Sequence, residues 1–298
     1  MKHIPVLLKE VIEYLAPASG KIYLDGTLGA GGYAEKILEA SAPDGKVIGI
    51  DIDDEALNES RARLSAFKER IKIERKSYAE IAAMSKEWGI LFDGIVLDLG
   101  ISSMQIDTGE RGFSFMKNGP LDMRMDKNSG LTAEYIVNAY SKDELKEVFL
   151  KFGEEKFAGR VAEKIVGQRG MKAITTTEEL ENICYKAYPQ GLRHSKTHPA
   201  TRVFQALRIA VNGELDNLEQ FLCDAPECLK IGGRVVIVSY HSLEDRLVKN
   251  RFKEFSAGGK AEILTKKPVP PAEEETKNNP RARSAKLRAI CLKFPQTI

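Results

Sequence analysis

Apolar residues in the first hundred positions fall into four short runs, at about 21–25, 46–51, 71–75 and 92–99. Each is short and bounded by turn residues, which predicts buried strands. Between them the polar pattern changes period. In Asp54-Glu-Ala-Leu-Asn-Glu-Ser-Arg-Ala-Arg-Leu-Ser-Ala-Phe67, the residues Ala56, Leu57, Ser60, Leu64 and Phe67 share one face and the charges take the other. That is a surface helix, and helices are expected to begin near Gly31, Asp53 and Ala79. Repeated strand–helix units predict a parallel sheet covered by helices on both faces.

The alternation then stops. Residues 104–131 are rich in Gly, Asn, Asp and Met and predict a long loop, the kind that serves as a lid. Four helical segments should follow, two of them opened by capping boxes at Ser141-Lys-Asp-Glu144 and Thr176-Thr-Glu-Glu179. The strand pattern returns after a helix from Gly213 to Leu229. The turn Gly232-Gly233 leads into a strand at 234–239, a helix from Leu243 to Phe255, and strands at 261–265 and 286–293. Pro268-Val-Pro-Pro-Ala-Glu-Glu-Glu275 reads as a polar connector. The expectation is a doubly wound α/β sheet from residues 1–103 and 213–298, interrupted at 104–212 by a lid loop and an all-helical insertion.

Composition narrows the class. The 298 residues are 43% hydrophobic and 30% charged, with a net charge of +2, so any polyanion must be met by local basic patches. No run approaches the roughly 20 apolar residues of a membrane span. Ile4-Pro-Val-Leu-Leu8 is too short for a signal-peptide core, and Lys9-Glu10 interrupts it, so a cytoplasmic protein is expected. Cys184, Cys223, Cys228 and Cys291 form no Cys-x-x-Cys pair and read as reduced thiols, with no zinc site or disulfide framework. His194 and His198 have helical spacing but no third ligand nearby, so no metal is expected there.

The chemistry starts at Asp25-Gly-Thr-Leu-Gly-Ala-Gly-Gly32, which leaves the first strand and opens a helix, and at Asp51, which ends the second strand. A Gly-rich turn admits a ligand close to the backbone, and an acid at the next strand tip can hold a ribose diol. The cofactor should therefore contain adenosine. Gly29-x-Gly31-x-x-Ala34 alone also fits a dinucleotide. Asp25, directly before the glycines, would repel a pyrophosphate but suits the cationic methionine end of S-adenosyl-L-methionine. Leu229-Lys-Ile-Gly-Gly-Arg234 and the two-strand finish resemble class I methyltransferases. Asp51 has a competing use as a helix cap, shared with Asp53 and Asp54.

With these pieces in place, the chain resembles the bacterial family that methylates the N4 of a cytidine in the decoding centre of 16S ribosomal RNA. The resemblance covers nearly the whole sequence: His3-Ile-Pro-Val-Leu-Leu8, the Gly-rich turn, Leu97-Asp-Leu-Gly-Ile-Ser-Ser103, Arg111-Gly-Phe-Ser-Phe115 and Gly119-Pro-Leu-Asp-Met-Arg-Met-Asp126. It continues in His198-Pro-Ala-Thr-Arg-Val-Phe-Gln-Ala-Leu-Arg208, Ser239-Tyr-His-Ser-Leu-Glu-Asp-Arg246 and Asn279-Pro-Arg-Ala-Arg-Ser284. It implies cofactor contacts at Gly31, Gly32, Tyr33, Asp51, Tyr78, Asp98 and Gln105. It also implies the small ribosomal subunit or its RNA as partner, and an insertion that helps to recognise RNA. The chain departs from the family at Tyr33, where His is usual, and in Ser102-Ser-Met-Gln-Ile-Asp107, where Met104 replaces a proline.

A cytosine amino group is a poor nucleophile, because its lone pair is delocalised into the ring. Oxygens that accept its hydrogens favour the pyramidal geometry that attack requires. Asp98, at the fourth strand tip, is the first candidate to orient the amine or the cofactor, with a loop cap as its alternative. His241, after the strand 234–239, is the second; it is either a proton acceptor or a side chain bonded to Glu244 or Asp245. Phe113 and Phe115 are either stacking platforms for RNA or core residues. Two acid-free stretches, with Arg193, Lys196, Arg202 and Arg208 and with Arg281, Arg283, Lys286 and Arg288, either meet phosphates or form solvated faces. Other readings remain open: a methyltransferase acting on another amine, a non-catalytic ribosome-assembly factor, or a nicotinamide oxidoreductase.

Overall fold

A computed structural model describes residues 5–102, 105–106, 108–195 and 197–293. His3 and Ile4 of the N-terminal motif, Ser103, Met104 and Asp107 of the loop, and Lys196 of the first basic stretch lie outside the described residues. The chain divides into two compact units, residues 1–100 with 215–298, and residues 101–214. The sequence pattern had set the breaks after 103 and 212.

The first unit is a seven-stranded sheet. Its strands are β1 (Ile22–Asp25), β2 (Lys46–Asp51), β3 (Ile71–Arg75), β4 (Phe92–Asp98), β5 (Leu229–Ser239), β6 (Ala261–Ile263) and β7 (Lys286–Leu292). The order is β3-β2-β1-β4-β5-β7-β6; β7 runs antiparallel to β5 and β6, and the other pairs are parallel. This is the class I methyltransferase version of the Rossmann-like fold. Chain order reverses between β1 and β4, and the crevice of such a sheet opens at the carboxyl ends of the strands flanking that point. Leu24 sits between Ile48 and Ile95 in the ladder, and all three are buried.

The helices of this unit are α1 (Leu8–Leu15), α2 (Gly32–Ala40), α3 (Asp54–Leu64) and α4 (Ile81–Trp88). The face expected of α3 is the buried one: Ala56, Leu57, Ser60 and Leu64. Asp53, not Asp51, caps it, accepting from the Glu55 amide at 3.0 Å. Phe67 lies past the helix end, in a 3-10 turn.

The second unit contains α5 (Ala133–Ala139), α6 (Lys142–Gly153), α7 (Ala158–Arg169), α8 (Thr177–Ala187) and α9 (Thr201–Asn212). That makes five α-helices among its described residues after 131, where the apolar pattern suggested four. Both capping boxes form, with Glu144 N to Ser141 Oγ at 3.3 Å and Glu179 N to Thr176 Oγ1 at 3.2 Å. Phe149, Leu145, Leu180 and Leu207 are among its fully buried core residues. Gly153 lets α6 and α9 approach closely, since a Cβ there would stand 2.6 Å from the Arg202 carbonyl oxygen.

Three further expectations need correction. The helix before β5 is α10 (Glu214–Asp224); it ends early, because Pro226 holds a 3-10 turn at Ala225–Cys228. Lys230-Ile-Gly-Gly233 is not a turn ahead of β5 but part of it, where the pairing with β4 shifts register between Phe92 and Gly94. After α11 (Ser242–Ala257), the polar connector runs into a short helix, α12 (Glu273–Asn278), whose first turn is three glutamates. Among the described residues, no helix is long and apolar enough to cross a membrane.

Candidate active site

The glycine turn uses left-handed backbone. Gly29 has φ 50° and Gly31 φ 77°, and Gly31 is the N-cap of α2. A side chain at Gly31 would add a contact at 3.0 Å with Leu64 to an already unfavourable conformation. Gly32 is enclosed differently: a Cβ there would meet Pro5 at 2.4 Å. The turn is braced from β2, where Asp51 accepts from the Gly29 amide at 2.8 Å and the Asp53 amide at 3.0 Å. Burial pushes the Asp51 carboxyl up, against these two hydrogen bonds. Each Asp51 oxygen has a second lone pair, so the brace leaves acceptors for a diol.

Asp25 ends β1 and is fully buried. Its Oδ1 takes a long contact, 3.4 Å, from the Thr27 amide, and its Oδ2 has no hydrogen bond within normal length among the described residues. Burial pushes this carboxyl up to about 7; Thr27 opposes the shift, and Asp98 and Asp51 add to it. An orphaned buried carboxylate oxygen is costly unless something cationic completes it.

Asp98 ends β4, next to β1. Its Oδ1 accepts from the Tyr240 hydroxyl at 2.8 Å, and its amide donates to Thr27 Oγ1 at 2.6 Å. Burial drives its carboxyl up to about 7; the Tyr240 and Tyr33 hydroxyls pull it down, and Glu244 pushes it up. Tyr33 is buried in the first turn of α2, and its hydroxyl donates to the Val6 carbonyl. So the departure from the family pattern carries a structural hydrogen bond. Burial raises both phenols further, with Asp98 and Glu275 among the acids that add to each shift.

His241 is placed otherwise. It is the N-cap of α11, its Nδ1 accepting from the Glu244 amide at 3.4 Å and its Nε2 lying 3.1 Å from Glu244 Oε1. Glu244 in turn accepts from the Tyr240 and His241 amides at 2.8 and 3.3 Å. The imidazole is thus committed at Nδ1 to capping α11, beside Glu244 as one of the alternatives allowed, while its buried Nε2 has no hydrogen-bond partner among the described residues. Tyr78 opens a 3-10 turn after β3 and packs edge-on against Phe221 at 5.9 Å. Gln105 belongs to the other unit, where its Oε1 accepts from the Ser102 amide at 3.1 Å.

Within the first unit, the strand ends therefore gather Asp25, Asp51 and Asp98 around the glycine turn. Tyr240, Thr27 and Glu275 were missed by sequence reasoning, and Glu244 was named only as a partner of His241. Glu244 had a usable signal, as the third position of a box capped by His241. Glu275 had none: it comes from the connector and accepts from the Leu7 amide at 2.8 Å.

The family model described as the MraW methylase family matches residues 1–293. The chain belongs to that family. It is 46% identical over 302 residues to ribosomal RNA small subunit methyltransferase H of Syntrophus aciditrophicus (strain SB), covering 96% of each chain. It is 48% identical over 303 residues to the protein of the same name from Geotalea uraniireducens (strain Rf4), covering 96% of this chain and 97% of that one. A methylase needs a methyl donor, and this donor set fits S-adenosylmethionine. Asp25 and Asp98 suit its cationic end, Asp51 its ribose, and the glycine turn its close approach to the backbone.

Several basic residues are absorbed by the fold. Arg208 makes two hydrogen bonds to Glu214, at 2.7 and 2.8 Å. Arg288 and Lys286 both pair with Asp245, at 2.6 and 3.2 Å. These three charges are paired with acids within the fold. Phe113 is buried in the core of the second unit, while Phe115 is only partly buried.

Proposed function

We propose that the chain transfers a methyl group from S-adenosylmethionine to the N4 amino group of a cytidine in the decoding centre of small-subunit ribosomal RNA, in the cytoplasm. The observation that carries the chemistry is the pair of acids at the ends of the adjacent strands β1 and β4, both raised to about 7. The curated relatives, named for ribosomal RNA of the small subunit, support the substrate.

Bound S-adenosylmethionine would supply an electrophilic methyl group on a sulfonium and leave as a neutral thioether. Asp25 would hold the cationic methionine end and Asp51 the ribose hydroxyls, with Gly31, Gly32, Tyr33 and Tyr78 lining the cofactor. Asp98, oriented by Tyr240, would offer its carboxylate to accept a hydrogen from the amine. Its raised pKa suits it to take the proton released as the N–C bond forms and the S–C bond breaks, then pass it to solvent. Asp98 is preferred to His241 because the imidazole already serves as the N-cap of α11.

The test is incubation with labelled cofactor and small ribosomal subunits lacking the modification, followed by nucleoside mass spectrometry. Label in N4-methylcytidine is expected. Label in another nucleoside would give the enzyme another amine, and RNA binding without label would make it an assembly factor.

A further inference from the structure

The second unit carries a stack of rings at its surface. Phe115 and His198 are stacked, with centroids 4.8 Å apart and planes at 24°. His198 and Tyr185 continue the stack at 6.5 Å and 25°. The Arg193 guanidinium lies over the Tyr185 ring, 5.2 Å from its centroid. His194 packs edge-on to Tyr185, its Nε2 3.2 Å from the Tyr185 hydroxyl.

The stack is held in place but not enclosed. His198 accepts from the Ala200 amide at 3.2 Å and points Nε2 at Glu181 Oε1, 3.2 Å away, yet its side chain remains 36% exposed. Arg193 spends Nε on the Tyr188 carbonyl at 3.1 Å. Its two Nη groups make no hydrogen bond to any described residue. No Asp or Glu occurs between Glu181 and Glu214, a stretch that also contains Lys186, Lys196 and Arg202. Aromatic rings in a core would not need a fixed guanidinium with open donors, a local excess of positive charge, or half-exposed edges.

We propose that Phe115, His198, Tyr185 and Arg193 form a binding site for one unpaired ribonucleotide. Its base extends the stack on the guanidinium that Tyr185 backs, and an Arg193 Nη group donates to the adjoining phosphate. Base stacking on aromatic and guanidinium planes is how single-stranded RNA is held without a groove to read. A duplex offers no free base face to such a stack. The inference rests on the RNA reading of the function and adds a contact made by a nucleotide other than the one methylated.

The test uses the full-length protein, a labelled single-stranded oligoribonucleotide of about ten nucleotides, of the order of a single-strand site, and the same sequence annealed to its complement. Tyr185→Ala and Arg193→Ala should each weaken single-strand binding about tenfold or more, while Tyr185→Phe stays near wild type and cofactor binding is unchanged in all three. A Tyr185→Trp protein should show its fluorescence quenched as the single strand binds. A change under about twofold in Tyr185→Ala, a loss of equal size in Tyr185→Phe, or equal affinity for the duplex would overturn the site. Methyl transfer separates the two ideas. Wild type that methylates small subunits with a KM unaltered by Tyr185→Ala removes the stack and leaves the function. Wild type that binds RNA through the stack but forms no N4-methylcytidine leaves the stack and removes the function.

Discussion

Asp25 and Asp98 are carboxyl groups kept from ionising by burial, and a cation should reverse that. Both are raised from 3.8 to about 7. A buried acid with a raised pKa stabilises the fold below its unfolded pKa and loses that contribution as pH rises through its folded pKa. The cofactor-free protein should therefore melt about 2 °C or more lower at pH 8 than at pH 6. S-adenosylmethionine should raise the midpoint more at pH 8; a larger effect at pH 6 would mean that the cation does not meet these acids. Asp25→Asn, which keeps shape and loses charge, should weaken S-adenosylmethionine about 10- to 100-fold, and also weaken S-adenosylhomocysteine, which keeps the α-ammonium of the methionine end, by titration calorimetry. His241→Asn should keep turnover within a few-fold, since Asn is a good helix cap. The acids at the strand tips were legible because a strand that ends in Asp beside a glycine turn has few other uses. Tyr240 was not, because its hydroxyl reaches Asp98 from another strand across 142 positions.

Among the elements, the strands and the two capping boxes followed from period and cap chemistry, which are local. What was missed depends on distant partners. α1 starts after Leu7, a non-glycine residue in left-handed backbone whose amide donates to Glu275, far away in sequence. α12 hid in a stretch of prolines and glutamates. The glycine turn gives a prediction at this scale. Gly31→Ala should cost about 1–2 kcal/mol from backbone conformation alone, seen in chemical denaturation, and should weaken the cofactor as the start of α2 shifts. Stability equal to wild type would mean that the left-handed N-cap is not required.

For the whole molecule, a net charge of +2 hides how the basic residues are divided. Sequence could not show that Arg288 and Lys286 are spent on Asp245, three to seven residues after Arg281 and Arg283 in the chain. A charge run shows sign but not partner. Arg281→Ala with Arg283→Ala should lower RNA affinity and flatten the dependence of log affinity on log salt by about 1.5, the release expected for two phosphate contacts. An unchanged slope would assign both to the fold. The lapse in alternating strands and helices put the second break after 212, where the compact units divide after Glu214, and spacing does not encode what the second unit binds.

The most direct measurement is the single-turnover rate of N4-methylcytidine formation in unmodified small ribosomal subunits, followed from pH 5.5 to 8.5 for wild type and Asp98→Asn. Asp98 must be ionised to accept from the amine, so the wild-type rate should rise with pH to a plateau, with a midpoint below the cofactor-free value of about 7 because the bound cation favours the carboxylate. Asp98→Asn should be slower by about 100-fold or more, with no such rise. A wild-type rate flat across that range, an Asp98→Asn protein at full speed, or methyl on any other atom would contradict the account.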